Sequence, residues 1–500
     1  MNTAKKLLTN TVLLTLSTVI IRSVAMGFQV YISNLIGAEG IGIFELVMSV
    51  YSLAIVVGGS GIRVGSTCLI AEEFGYGRKH GVKKAVRQCL LYGLVVSLVV
   101  SVIMFHFSEQ LGILWIGDQR SILPLKVSAL CIPFSVMSSV MAGYFTAAGK
   151  IGRYVVVEFF ERSFSIVVTM FLISLYGARG IPQSCACVVG GSGIGTALSF
   201  LVLFFMYRFD ISNTENTNQP MFKRLLKMTV PLAANEYIRS GLNTLEHMLI
   251  PRGLKSYGSH AAIASYGTIH GMVFPVITFP TAILYSVADI LIPELSGCRA
   301  GNRPNRITYI VSHIMQMSFI FAALCTAILI VTADQLGVLI YSSSEASLYF
   351  ARFAPLLVFI YLDTIVDGML KGLGQQVYNV RLNTCTSILD VLLLILLLPK
   401  YGIDGYITAF AITKLVNFGF SLSKIILVTN YRPRPDLIFK TLLAVAASVV
   451  FARFISGGNS VFISGISSTL VFFVVISLTG AVTRTDINWL IKIFNMRFKN

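Results

Sequence analysis

The chain has 500 residues, 55% of them hydrophobic and only 12% charged, with a mean hydropathy of +0.79. A water-soluble domain carries about 25% charged residues, so this composition excludes one large soluble core, with or without a tail anchor, and makes lipid the main solvent. The net charge of +17 comes from 39 Lys and Arg against 22 Asp and Glu; these lie in short segments between apolar runs, which speaks for membrane topology and against a nucleic-acid partner.

A helix rises 1.5 Å per residue, so about 20 residues cross a bilayer core. Runs of that kind are predicted over residues 8–33, 41–70, 86–107, 122–148, 154–176, 184–207, 225–250, 260–296, 306–332, 346–371, 378–399, 404–429, 438–454 and 461–481. The fold class is therefore an all-α polytopic membrane protein of about 14 transmembrane helices. Lys5 and Lys6 before the first run resemble a signal peptide, but the run is long and carries Arg22, so an uncleaved span is expected. Gly58-Gly59-Ser60-Gly61 predicts a bend in the second run, and Pro275 with Pro280 a kink in the eighth. The eight Cys form no paired CxxC motifs and read as packing thiols.

With span-end residues counted in their loops, 26 Lys and Arg fall in the predicted inner segments and 7 in the outer ones. That bias places both termini of a multi-pass membrane protein in the cytoplasm. The densest cluster, residues 77–84, reads as an anchor against anionic lipid.

The two halves repeat. Ala142-Gly143-Tyr144-Phe145 … Gly149 is answered 225 residues later by Asp367-Gly368-Met369-Leu370 … Gly374, and Tyr176-Gly177 … Gly180 by Tyr401-Gly402 … Gly405. Ile70-Ala71-Glu72 and Ile292-Pro293-Glu294 match at an offset of 222. Six spans per unit preserve orientation, which predicts parallel repeats. The expected organisation is a six-helix lobe over 1–207, a polar cytoplasmic linker over 208–224 and a second six-helix lobe over 225–430, the lobes enclosing a central cavity. Two extra helices over 431–482 and an amphipathic inner-leaflet tail over 483–500 follow.

Charges within the spans carry the functional reading, because each costs roughly 2.5–3.5 kcal/mol at the bilayer centre and so faces protein or a wet cavity. They are Arg22, Glu45, Arg63, Glu158, Glu161 and Arg162, then Glu236, Arg239, Glu246, His247, His270, Asp289, Arg352, Asp363, Asp367, Asp390 and Lys414. Glu158 with Arg162, and Glu236 with Arg239, are spaced to meet on one helix face. Asp363 and Asp367 are four apart and suit a proton or cation, with pairing to Lys414 or Arg239 as the alternative. Asn379, Asn383 and Asp390 form a stripe of oxygens suited either to a hard cation or to helix–helix hydrogen bonds. Arg22 has no acid within its span and suits a phosphate group; Arg63 either joins it or snorkels to the headgroups. Gly190-Gly191-Ser192-Gly193-Ile194-Gly195 lies inside a span without a Lys-Ser/Thr ending, so it reads as close helix packing. No enzyme signature is present, and no cofactor is expected beyond Na+ or H+ as a coupling ion.

Four stretches resemble the oligosaccharidyl-lipid flippase superfamily, most closely its stage V sporulation protein B group. They are Ile21-Arg22 … Gly27-Phe28 … Asn34-Leu35-Ile36-Gly37-Ala38-Glu39-Gly40, then Gly61-Ile62 … Ala71-Glu72-Glu73, then Leu249-Ile250-Pro251-Arg252-Gly253-Leu254 with Tyr266-Gly267 … His270-Gly271-Met272, and Gly368 … Lys371-Gly372-Leu373-Gly374. Tyr31 stands where the group often has Arg, and Arg63 where it often has Pro. The resemblance implies two six-helix lobes around a cavity and alternating-access transfer of a polyprenyl-pyrophosphate-linked saccharide from inner to outer leaflet. It implies a role in cell-envelope, peptidoglycan or spore-cortex synthesis, with envelope enzymes as partners. By that likeness Arg22, with Arg63 and Arg239, holds the pyrophosphate, and Glu236, Asp363, Asp367, Asn379, Asn383 and Asp390 are the coupling-ion candidates. A cation-coupled multidrug antiporter of the same superfamily and a non-transporting scaffold for envelope enzymes are the rival expectations.

Overall fold

The protein is described from a computed structural model, which describes residues 2–59, 61–76, 79–210, 221–456 and 460–481. The tail expected over 483–500 and most of the linker lie outside these residues. In chain order the helices are α1 (Asn2–Gly59), α2 (Ile62–Gly75), α3 (Lys79–His106), α4 (Ser108–Gln110), α5 (Ile122–Ala147), α6 (Ile151–Tyr176), α7 (Ile181–Asp210), α8 (Met221–Ser256) and α9 (Ala262–Gly267). After a π-turn over Thr268–Val273 come α10 (Phe274–Thr278), α11 (Thr281–Ala300), α12 (Pro304–Tyr341), α13 (Ser344–Phe353), α14 (Leu357–Gly372), α15 (Gln376–Thr429), α16 (Pro435–Ser456) and α17 (Val461–Leu478).

Ten helical stretches among the described residues are long and apolar enough to cross a membrane, two of them 56 and 54 residues long. Each of these two is broken at a glycine that an L side chain would strain: Gly37 (φ 73°) in α1 and Gly402 (φ 57°) in α15. Helices α6 and α8 are also long enough, but Glu158, Glu161 and Arg162 interrupt the first and Glu236, Arg239 and Glu246 the second. The bend expected after Gly58 falls at Gly61, which is left-handed (φ 69°). The proline kink of the eighth span falls at Phe279–Pro280, between α10 and α11. Lipid replaces water outside: Leu91, Val102, Phe454 and Leu478 are all more than 60% exposed. The interior instead buries Ser and Thr that bond back to their own helix, as Ser128 does to Leu125 O (2.8 Å) and Thr326 to Ala322 O (2.9 Å).

The chain divides into two compact units. One spans Tyr31–Gly267. In it α7 packs against both α5 and α6, and α2 against α3, α5 and α8. The glycine run of α7 makes that possible by facing two helices in turn. A Cβ on Gly191 would collide with Thr169 of α6, one on Gly193 with Cys131 of α5, and one on Gly195 with Ser165 of α6. The other unit spans Met1–Val30 and Thr268–Asn500. There α11 and α15 pack against α14, and α12 takes up α13, α14, α16 and α17. The last two helices share one apolar cluster with α12, built on Ile320, Ala323 and Ala327, on Leu437 and Ala444, and on Phe472 and Ile476.

The 225-residue repeat is written into the backbone. Gly149 (φ 68°) and Gly374 (φ 70°) both end a helix in the left-handed region, as do Gly117 (φ 80°) and Ser342 (φ 51°). Asp118 N donates to Gly112 O at 3.1 Å, and Ser343 N to Gly337 O at 3.2 Å. Asp118 and Ser343 then cap the next helical turn with their side chains.

Candidate functional site

Arg22 lies on α1 in the unit of residues 1–30 and 268–500, with its guanidinium 4.8 Å from the centre of the Tyr285 ring. It is exposed, and no carboxylate within 4.0 Å pairs with it among the described residues. Tyr285 and Asp289 stand one turn apart on α11 and are both exposed. An adjacent face of α11 is clamped to α14, where a Cβ on Gly368 would lie 2.7 Å from that of Ala288. The aromatic ring thus offers the cation a π-face and leaves its donor edge available.

Five of the six coupling-ion candidates come together in the same unit. Asn417 Nδ2 donates to both oxygens of Asp363 at 3.0 Å. Asp367 takes a hydrogen bond from Asn379 Nδ2 and an ion pair from Lys371 at 2.5 Å. Asn383 donates to Asn379 Oδ1 at 3.3 Å, and Thr386 to Asn417 Oδ1 at 3.5 Å. Asp390, buried, accepts from Thr413 Oγ1 at 3.0 Å. Helical spacing explains the convergence. Asp363, Asp367 and Lys371 fall at i, i+4 and i+8 on α14, and the stripe 379–383–386–390 runs along the first half of α15. The break at Gly402 then folds the second half back with Thr413 and Asn417. Sequence reading missed Thr386, Thr413 and Asn417; the four-residue spacing of Thr413 and Asn417 beside Lys414 was the available signal. Lys414 lies within electrostatic reach of Asp363 and 5.5 Å from the Phe410 ring. Nearby, His270 on the π-turn meets the Tyr406 hydroxyl at 3.1 Å within an aromatic cluster of Phe274, Phe353 and Phe410.

The remaining candidates belong to the unit 31–267. Arg63 is exposed on α2. It lies with Glu158, Glu161 and Arg162 within electrostatic reach of Tyr154. Glu161 accepts from Thr196 Oγ1 at 2.8 Å. Glu158 and Arg162 form no ion pair within 4.0 Å among the described residues, nor do Glu236 and Arg239, both exposed on α8, so the spacing that permits these pairs is not used. His247 Nδ1 meets the hydroxyl of buried Tyr266 at 2.8 Å, with Glu45 and Glu246 close by. Two further features had no sequence signal. Arg224, at the start of α8, pairs with Glu72 (2.6 Å) and with fully buried Glu73 (3.0 Å). Arg120 pairs with Asp118 (2.7 Å) and Glu39 (2.6 Å). Among the described residues no group of three or more His, Cys, Asp or Glu gathers as a metal site; the polar network above is a set of carboxylate, amide and hydroxyl groups instead.

The chain is 23% identical to Stage V sporulation protein B of Bacillus subtilis over 362 residues, 70% of each chain. Its fold matches the inward closed conformation of the lipid II flippase MurJ with a TM-score of 0.72, covering 93% of this chain and 98% of that one at 14% identity. It also matches an inward-facing multidrug resistance MATE family transporter of the MOP superfamily with a TM-score of 0.64, covering 83% and 100% at 14% identity. Residues 7–286, more than half of the chain, match the family described as polysaccharide biosynthesis protein, and the chain belongs to that family.

Proposed function

We propose that the protein is a flippase of the bacterial plasma membrane that carries a polyprenyl-pyrophosphate-linked saccharide from the inner to the outer leaflet by alternating access. The observation that carries this reading is Arg22, a guanidinium within a membrane-spanning helix that is exposed and stacked on Tyr285. A cation within a membrane-spanning helix is expensive, and its planar fork matches a pyrophosphate. Arg63 and Arg239, both exposed, are the further phosphate ligands of the proposal. The lobes are taken as 1–207 and 225–430, both termini are cytoplasmic, and enzymes of envelope synthesis supply and consume the substrate.

Na+ or H+ drives the cycle in this proposal through Asp363, Asp367, Asn379, Asn383 and Asp390, with Glu236 as an additional carboxylate. The oxygen-rich donor set suits a hard cation. Asn379 and Asn417 now present their amide nitrogens to the carboxylates, so ion binding would require these amides to turn their oxygens inward. Proton coupling needs no such turn.

Reconstitution into vesicles with fluorescent lipid-linked saccharides, with and without Na+ or pH gradients, tests the reading. Wild-type protein moves the labelled headgroup, and Arg22→Gln slows it roughly 10- to 100-fold, the loss of one charge-assisted bond. No transfer under any gradient, or undiminished transfer by the variant, refutes it. The acids at Asp363, Asp367 and Asp390 favour a second reading, cation-coupled export of drugs. That reading requires export of cationic dyes by vesicles that leave the lipid-linked sugar in place.

A further inference from the structure

A cavity of about 520 Å3 opens between the first turns of α12 and the α15–α16 connection, away from the residues discussed so far. Asn305, Thr308, Ser312, His313, Asn430 and Arg434 line it, and none of its lining residues is acidic. Its walls are tied together. Thr308 Oγ1 donates to Thr429 O at 2.5 Å, and Asn430 ends α15 in the left-handed region (φ 52°). The His313 ring is oriented by donation from Nδ1 to Tyr309 O at 3.0 Å. Arg434 leans along α12 until Nη1 lies 3.5 Å from Gln316 Oε1, and Gln316 is itself fixed by donation to Ala481 O at 3.1 Å. Arg434 forms no ion pair among the described residues. The cavity also sits at the N-terminus of a 38-residue helix, where Pro304 has no N–H, Ile307 N donates to Arg303 O at 3.2 Å, and the amides of Asn305 and Arg306 stand at the positive end of the helix dipole.

We propose that this cavity binds a phosphate ester. Three independent features agree on an anion: a guanidinium with no carboxylate partner among the described residues, a long helix N-terminus and a lining without acids. The volume lies in the range of ligand pockets of roughly 300–1,000 Å3 and holds far more than a single ion. Three membrane-spanning helices end here, α12 at its start, α15 at its end and α16 at its start, which is the depth of lipid headgroups. A phospholipid phosphate and a soluble phosphate share the recognising chemistry. The proposal is independent of the transported species.

The test uses the full chain in neutral detergent, with bound lipid read by native mass spectrometry and stability by thermal unfolding. Phosphatidylglycerol, phosphatidylcholine and inorganic phosphate are titrated separately. The expected result is saturable binding of phosphatidylglycerol, weakened about tenfold or more by Arg434→Gln through loss of a charge-assisted contact. Asn305→Asp places a carboxylate in the cavity at a helix start that favours an acid; it keeps the fold and weakens binding to a similar degree. Protection by inorganic phosphate equal to that by phosphatidylglycerol assigns the site to a soluble phosphate, and protection by the lipid alone assigns it to a headgroup. Wild-type affinity for phosphatidylglycerol in both variants, or no binding of either ligand to the wild type, overturns the proposal.

Discussion

Gly191→Ala is a stringent test of how the unit 31–267 is built. Alanine favours a helix over glycine by about 1 kcal/mol, so propensity alone predicts a stabilised α7. The packing predicts the opposite. The new Cβ would meet Thr169 Oγ1 and would stand only 2.9 Å from both Thr169 Cα and Thr169 N. A hydroxyl can rotate away, but backbone atoms cannot, so α6 and α7 must separate. Overpacking of this kind costs typically 1–3 kcal/mol, and after the propensity gain a net loss of up to about 2 kcal/mol remains. Gly190→Ala is the control one residue away. Its Cβ would lie 3.5 Å from Val127 Cγ1 and 4.0 Å from Leu172 Cδ1, ordinary contact. Thermal unfolding in detergent reads the difference, with Gly191→Ala melting below wild type by up to about 8 °C and Gly190→Ala at or above it. Equal melting of the two alanine variants would refute the close-packing account.

Asp118 gives a pH dependence. Burial pushes its carboxyl up, but donation from the Arg120 side chain and backbone, with the charges of Arg120 and Lys255, outweighs burial and holds it below its ordinary 3.8. A folded value below the unfolded one stabilises fully above about pH 5 and loses that contribution as pH falls through the folded value; Asp118→Asn should therefore flatten the acid limb of melting temperature against pH. Arg224→Ala strands the charge of fully buried Glu73 and should cost about 3 kcal/mol, while Arg224→Ala with Glu73→Gln recovers part of the loss. Denaturation of the two variants in parallel checks this, and identical losses would contradict it. Arg352 and Asp404 also pair, but at 38% and 72% exposure; Asp404→Asn should shift stability by less than about 1 kcal/mol, and a larger fall in unfolding midpoint would count against a surface role.

Much of the architecture was legible because lipid imposes a simple rule: long apolar runs must be helices. The 225-residue repeat, the bend before Gly61, the break before α11 and the glycine seam of α7 all follow from residues whose physics is local. Contacts across helices were not legible in the same way. The spacing of Glu158 and Arg162 permits a pair, yet spacing along one helix cannot say whether a neighbour such as Thr196 competes for nearby acids. Asp363 and Asp367 announced themselves as a like-charged pair, whereas Asn417, which bonds both oxygens of Asp363, lies 54 residues away and carries no charge to mark it. The pairing of Arg224 with Glu73 spans 151 residues and is invisible to any local pattern.

The repeat also locates where the two copies have parted in chemistry. Shifted by 225 residues, Asn379, Asn383, Thr386 and Asp390 of α15 fall on Tyr154, Glu158, Glu161 and Ser165 of α6. Both copies therefore carry a polar stripe at the same positions of the same helix, and the backbone turns that precede it match. The residues on the stripe differ in kind. On α15 it is mostly amide and hydroxyl, and carboxylates arrive from Asp363 and Asp367 of α14; the positions equivalent to these are Ser138 and Ala142, which carry no charge. On α6 the stripe supplies its own carboxylates, with Arg162 beside them and Arg63 near Tyr154. A duplicated scaffold has thus retained a polar helix face in each half and changed which helix bears the acids. One copy surrounds its carboxylates with amide and hydroxyl donors and with Lys371 and Lys414. The other sets its carboxylates among exposed arginines. In the cycle proposed above, the anion and the small cation would need opposite fields on otherwise equivalent scaffolds, and that asymmetry would supply them.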